Sequence, residues 1–174
     1  MYAYFRQIRR IAVCAIASLL LVAGAGFAAG LDQPKADSIL TVSGKIGTTN
    51  AQAAAQFDRA MLEKLGMVSF TTMTPWYKEP VKFEGVPLKA LMDAVAAKGE
   101  KIVAVALNDY SAEVPMEDIA KYNVILALKR DGEYMSPRDK GPLFIVYPFD
   151  SKREYKTEAI YSRSIWQLNR IEIQ

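Results

Sequence analysis

The 174-residue sequence has no histidine and a single cysteine, Cys14, which falls in the N-terminal stretch. Beyond residue 30 there is therefore neither imidazole nor thiol. For that part of the chain this excludes a Ser-His-Asp triad, a cysteine nucleophile, a Cys/His zinc site and a His- or Cys-ligated haem. It also excludes a disulfide, so burial has to supply the stability of a domain that is expected to be exported. No spacing of Asp and Glu singles out a carboxylate pair for hydrolysis, and there is no internal repeat or low-complexity tract. What is present is carboxylates, amines, guanidinium groups, hydroxyls and many aromatics, an inventory better suited to binding than to turnover.

Arg6, Arg9 and Arg10 precede an apolar run from Ile11 to Ala23, followed by small residues up to Gly30. A basic start, a short apolar stretch and an Ala-x-Ala exit make a secretory signal. Ala23-Gly24-Ala25 fits the exit, and Ala28 or Ala29 are further cleavage points. The run is shorter than the ~20 apolar residues of a spanning helix, so residues 1–29 are expected to be a removed signal and the destination the periplasm. Cys14 stands close behind the basic region, ahead of most of the apolar run, and lipid attachment there is not expected. The three leader arginines account for the whole formal charge of +3. The balanced remainder offers no concentrated basic face for nucleic acid. About 145 residues then remain, the size of one ordinary domain.

Residues 30–38 are polar and read as a flexible tether, with the domain spanning 39–174. Residues 39–46 read as a strand interrupted at Gly44. Thr48, Thr49 and Asn50 offer N-caps for a helix with Ala54, Phe57, Met61 and Leu65 on one face and Gly66 as its stop. Strands are expected at 67–73, 81–86, 101–107, 111–114, 143–147 and 170–173. Pro87 suits the start of a helix with Leu88, Leu91, Met92 and Val95 inward, ended by Gly99. A short helix is expected near 115–121, and Asp131-Gly132 marks a hairpin between 124–129 and 134–135. Between Pro75 and Pro80 regular structure cannot continue, which leaves a loop carrying Trp76 and Tyr77. The class is α+β with a mixed sheet in a single domain.

Four stretches, in order, resemble a known family. Phe83-Glu84-Gly85-Val86-Pro87-Leu88, continuing to Leu91-Met92, resembles the F-x-G-V-P-L-x-x-L-L signature of the sulfite-oxidase-type molybdopterin-binding domain. Asn108-Asp109-Tyr110, continuing to Pro115-Met116, resembles its D-G-Y-x-x-x-x-P-L element. Leu126-Ala127-Leu128, Asp131-Gly132, Gly141-Pro142-Leu143 and Tyr147-Pro148 resemble its L-A-x-x-x-x-G … G-x-P run. Ser162-Arg163-Ser164-Ile165-Trp166 resembles its A-R-S-V-K-W segment. The resemblance implies a sulfite-oxidase-like mixed-sheet fold and a pterin site. The sequence departs from the family's enzymes in lacking the thiolate and histidines near the metal. It also has Ile165-Trp166 in place of Lys-Trp, and Phe144 where an arginine is usual. A reduced, exported version, the periplasmic pterin-binding PruR-type regulators, is also similar. That likeness implies a pterin bound without molybdenum and a partner in the periplasmic domain of a membrane-bound cyclic-di-GMP enzyme. The alternative is a molybdopterin-dependent oxidoreductase with a carboxylate or serine as metal ligand. A third reading is an interaction module whose former pocket is filled by Trp76, Tyr110 or Phe149.

A pterin is a flat bicycle with a donor edge, the 2-amino group and N3–H, and with acceptors at O4 and N5. A site for it needs a plane for stacking, an acceptor for the donor edge and donors for the acceptors. Trp76 and Tyr77 are the stacking candidates in the loop, against a reading in which Trp76 lids the core. Trp166 is a further candidate, with Ile165, Leu168 and Ile171 suggesting a core role. Asn108, Asp109 and Tyr110 follow an apolar strand, and the competing reading is an ordinary turn. The resemblance places Arg163 and Ser164 on the pterin itself, against a reading of Arg163 as solvated on an edge strand. The charged runs 136–140 and 150–153 are solvated loops or the mouth of the site.

Overall fold

The computed structural model describes residues 30–174; the expected export signal and Cys14 lie outside them. Ten strands form two sheets. The first has the order β2-β1-β10-β5-β6, and the second runs β3-β4-β7-β8 with β9 also paired to β7. In chain order the strands are β1 (Leu40–Gly44), β2 (Ala54–Phe57), β3 (Val68–Thr72), β4 (Val81–Pro87), β5 (Lys101–Ala106), β6 (Ser111–Pro115), β7 (Ile125–Arg130), β8 (Glu133–Tyr134), β9 (Phe144–Val146) and β10 (Leu168–Ile173). The helices are α1 (Arg59–Glu63), α2 (Leu88–Ala94), α3 (Met116–Lys121) and α4 (Glu158–Arg163). Among the described residues only β1 and β10 pair in parallel; every other ladder is antiparallel. The expected α+β class with a mixed sheet is what the chain forms, in one domain. Among the described residues no helix is long and apolar enough to cross a membrane.

Alternation along the strands builds the core. In β5 the inward residues Ile102, Ala104 and Ala106 are buried while their neighbours are half-exposed. Strands β7 and β9 are buried almost throughout, so they read as apolar runs. Residues from both sheets join one hydrophobic cluster that includes Phe57, Phe83, Leu126, Phe144 and Phe149. The ladder between β4 and β7 shifts register between Glu84 and Gly85. A Cβ on Gly85 would collide with the carbonyl oxygen of Leu126. The glycine of the F-x-G-V-P-L motif is thus required by close backbone approach at a bulge.

Three local expectations are corrected. Residues 54–57 are a strand, not the first turn of a helix: Ala55 and Phe57 are buried at a period of two. Asn50 caps no helix. Its side chain bonds both the N–H and the carbonyl of Gln56, closing the turn before β2. The helix starts only after Asp58, which accepts from Met61 N–H at 2.8 Å. Helix α2 ends at Ala94, well before Gly99, because Ala96 adopts φ 48° and the N–H of Ala97 closes on Met92. Helix α4, capped by Thr157 on Ile160 N–H, was not expected, and it takes Arg163 out of any edge strand.

Residues 30–38 carry no regular element but are fastened to the domain rather than loose. Lys35 and Ala36 donate to Asp58, and Gln33 and Asp32 bond to Asn50.

Candidate functional site

The seam between the two sheets positions the site. Ile165 accepts from Ile145 N–H in the second sheet, and Gln167 accepts from Leu107 N–H at the end of β5 in the first. Leu168 then enters β10, with Gln167 turning the chain at φ 54°. The segment 164–167 therefore crosses from one sheet to the other, and Trp166 sits on the crossing. A cleft of about 550 Å³ opens there, within the size range of small-molecule sites.

Three remote segments line it. The loop before β4 contributes Pro75 and Trp76. The β5–β6 turn contributes Ala106, Asn108 and Tyr110. Helix α4 and the chain after it contribute Glu158, Tyr161, Ser162, Ser164, Ile165 and Trp166. Trp76 is placed by its N–H bond to Thr74 Oγ1 at 3.2 Å and packs among Phe144, Phe149, Tyr161 and Trp166. The two indoles meet edge to face, 5.5 Å apart at 69°. The Lys140 ammonium lies 4.5 Å from the centre of the Trp166 ring. Trp76 is thus both a lid on the core and a wall of the cleft, and Trp166 combines the same roles.

Of the residues singled out from the sequence, Trp76, Asn108, Tyr110, Ser164 and Trp166 come together on this cleft. Tyr110 stands 57% exposed at its edge, and Asn108 Oδ1 accepts from the N–H of Tyr110 to fix the turn. Ser164 is buried, with its hydroxyl 3.5 Å from the carbonyl of Ile160.

Asp109 and Arg163 stand outside the lining. Asp109 takes φ 63° in the turn and pairs with Arg170 on β10 at 2.6 Å. Arg163 turns to Asp118 on α3 at 2.5 Å, and Asp118 also accepts from Tyr147 Oη at 2.9 Å. Asp118 is only 5% exposed and Tyr147 fully buried. Burial, then the neighbouring Asp118 charge, push the Tyr147 phenol far above its ordinary pKa, so it stays a donor. Arg163 is therefore a clamp between α3 and α4, directly ahead of the cleft residue Ser164. Tyr77 is likewise drawn away, accepting from Arg130 Nη1 at 3.3 Å under its guanidinium.

Sequence reasoning missed Pro75, Ala106, Glu158, Tyr161, Ser162 and Ile165. Glu158 and Tyr161 sit at i and i+3 with a Thr157 cap, a helix signal overlooked because the segment is so short. In the charged runs, Asp150 is held by Lys156 and by the N–H of Met73, which together keep its carboxyl below the usual range. It ties the end of β3 to the chain after β9 and lines no part of the cleft.

No curated protein is similar enough to count as a match. A family model does match, over residues 49–150, more than half of the chain and the part that supplies Trp76, Asn108 and Tyr110 to the cleft. The chain belongs to the family of the oxidoreductase molybdopterin binding domain.

Proposed function

We propose that the protein is a non-catalytic, periplasmic pterin-binding sensor or adaptor that acts on a membrane-bound cyclic-di-GMP enzyme. The observation that carries this reading is an open, aromatic-walled cleft in a pterin-family domain, lined by hydroxyls, an amide and one carboxylate.

The organic half of the family's cofactor suits these residues. Trp76, Trp166, Tyr110 and Tyr161 offer planes, the Asn108 amide and the tyrosine hydroxyls offer donors, and Glu158 offers an acceptor. Stacking of a flat heterocycle on an aromatic side chain is worth about 1–3 kcal/mol. A few such contacts with their hydrogen bonds support about micromolar affinity. The metal half suits them less well. Among the described residues no three of His, Cys, Asp and Glu gather as ligands, and the cleft lining holds a single carboxylate with no thiol or imidazole beside it. This favours recognition over an oxidoreductase using a serine or carboxylate ligand.

In this reading the residues act by binding and ordering. A ring between the loop at Trp76 and the β5–β6 turn would couple these remote segments, altering the surface around Tyr110 that a receptor reads. The leader supports export, and the PruR-type likeness supports the receptor class. The test is purification from the native host, with extraction of bound ligand and elemental analysis. About one fluorescent pterin per chain without molybdenum is the expected result. Molybdenum near one per chain would establish the oxidoreductase instead. Crosslinking in the periplasm should recover a membrane protein with cyclic-di-GMP domains.

A further inference from the structure

Glu158 is the one charged residue in the cleft lining. Its carboxylate makes no ion pair or hydrogen bond among the described residues, whereas the carboxylates around it are engaged. Asp109 is held by Arg170, Asp118 by Arg163 and Tyr147, and Asp150 by Lys156. The same pairs occupy Lys156, Arg163 and Arg170, and Lys140, which lies over the Trp166 ring, is outside the lining. The cleft thus presents an uncompensated negative charge beside aromatic planes, and no basic group of its own.

We infer that Glu158 sets the specificity of the site, accepting the guanidine-like donor edge of an unphosphorylated pterin and turning away a phosphate-bearing one. This rests on the pterin reading above. The 2-amino group and N3–H lie side by side and match the two oxygens of a carboxylate in parallel, charge-assisted bonds. A phosphate brought into the same cleft meets a like charge and no cation in the lining to neutralise it. Asp109, the acidic candidate expected from the sequence, cannot take this part while it serves Arg170.

The test is fluorescence titration of the full domain with neopterin and with neopterin phosphate, using wild type, Glu158→Gln and Glu158→Asp. Wild type should bind neopterin about tenfold more tightly than its phosphate. E158Q should weaken neopterin binding about tenfold and bring the two ligands to similar affinity. E158D, which keeps the charge and the acidic start of α4, should preserve the discrimination. Equal binding of both ligands by wild type, or unchanged neopterin binding in E158Q, would overturn the role of Glu158 and leave the pterin reading intact. Saturation with neither ligand in wild type overturns both.

Discussion

Asp58 gathers the N–H groups of Met61, Lys35 and Ala36 on one buried carboxylate. Those bonds, the one from Met61 foremost, hold its pKa below the ordinary value. A depressed folded pKa means that this stabilisation is present above the unfolded carboxylate range. It is lost as pH falls through the lower folded value. Asp58→Ala should cost about 2 kcal/mol, a lost cap plus unpaired N–H groups. Asp58→Asn should flatten the acid limb in urea unfolding measured across pH. At Arg163 the sequence identified the residue but not its partner, because Asp118 stands 45 positions away. Arg163→Ala should lower stability by about 2 kcal/mol, with Arg163→Lys recovering part of it in the same unfolding assay. Tyr110 behaves in the opposite way. It is exposed, so Tyr110→Ala should leave the unfolding midpoint within about 0.5 kcal/mol of wild type. It should nevertheless weaken pterin binding several-fold in titration.

At the scale of elements, most strands were legible because alternation and bounding turns are local signals. Residues 54–57 were not. Ala54, Phe57, Met61 and Leu65 satisfy a helical period, but the pairing of Ala55 and Phe57 with β1 overrides it. Asp58 was the informative residue, since its side chain marks where the strand stops and the helix begins. Helix α4 escaped notice for a different reason: six residues hold too few turns for a period to show. The motif glycine Gly85 was legible as a motif but not as a contact. Its place against the backbone of β7 predicts that Gly85→Ala costs about 1–3 kcal/mol in equilibrium unfolding. An unchanged midpoint would mean that the β4–β7 bulge relaxes freely.

For the whole molecule, the cleft depends on bringing together chain segments near 75, 108 and 160. Sequence could nominate Trp76 from its proline-bounded loop, and Asn108, Tyr110, Ser164 and Trp166 from segments that resemble the family, but only one at a time. Their convergence required the crossing of 164–167 between sheets, which no local pattern encodes. Glu158 belongs to no motif and lies beyond the matched residues 49–150. The lack of histidine, and of cysteine beyond residue 30, acquires a narrower sense in this setting. A pterin-family fold has an open cleft, not one filled by Trp76, Tyr110 or Phe149, lined with aromatic planes, hydroxyls and one carboxylate that we propose recognise a pterin ring. Calorimetric titration of the purified domain with a tetrahydropterin tests that claim most directly. The account predicts saturable one-to-one binding at about micromolar affinity without added metal; the absence of any saturable heat would contradict it.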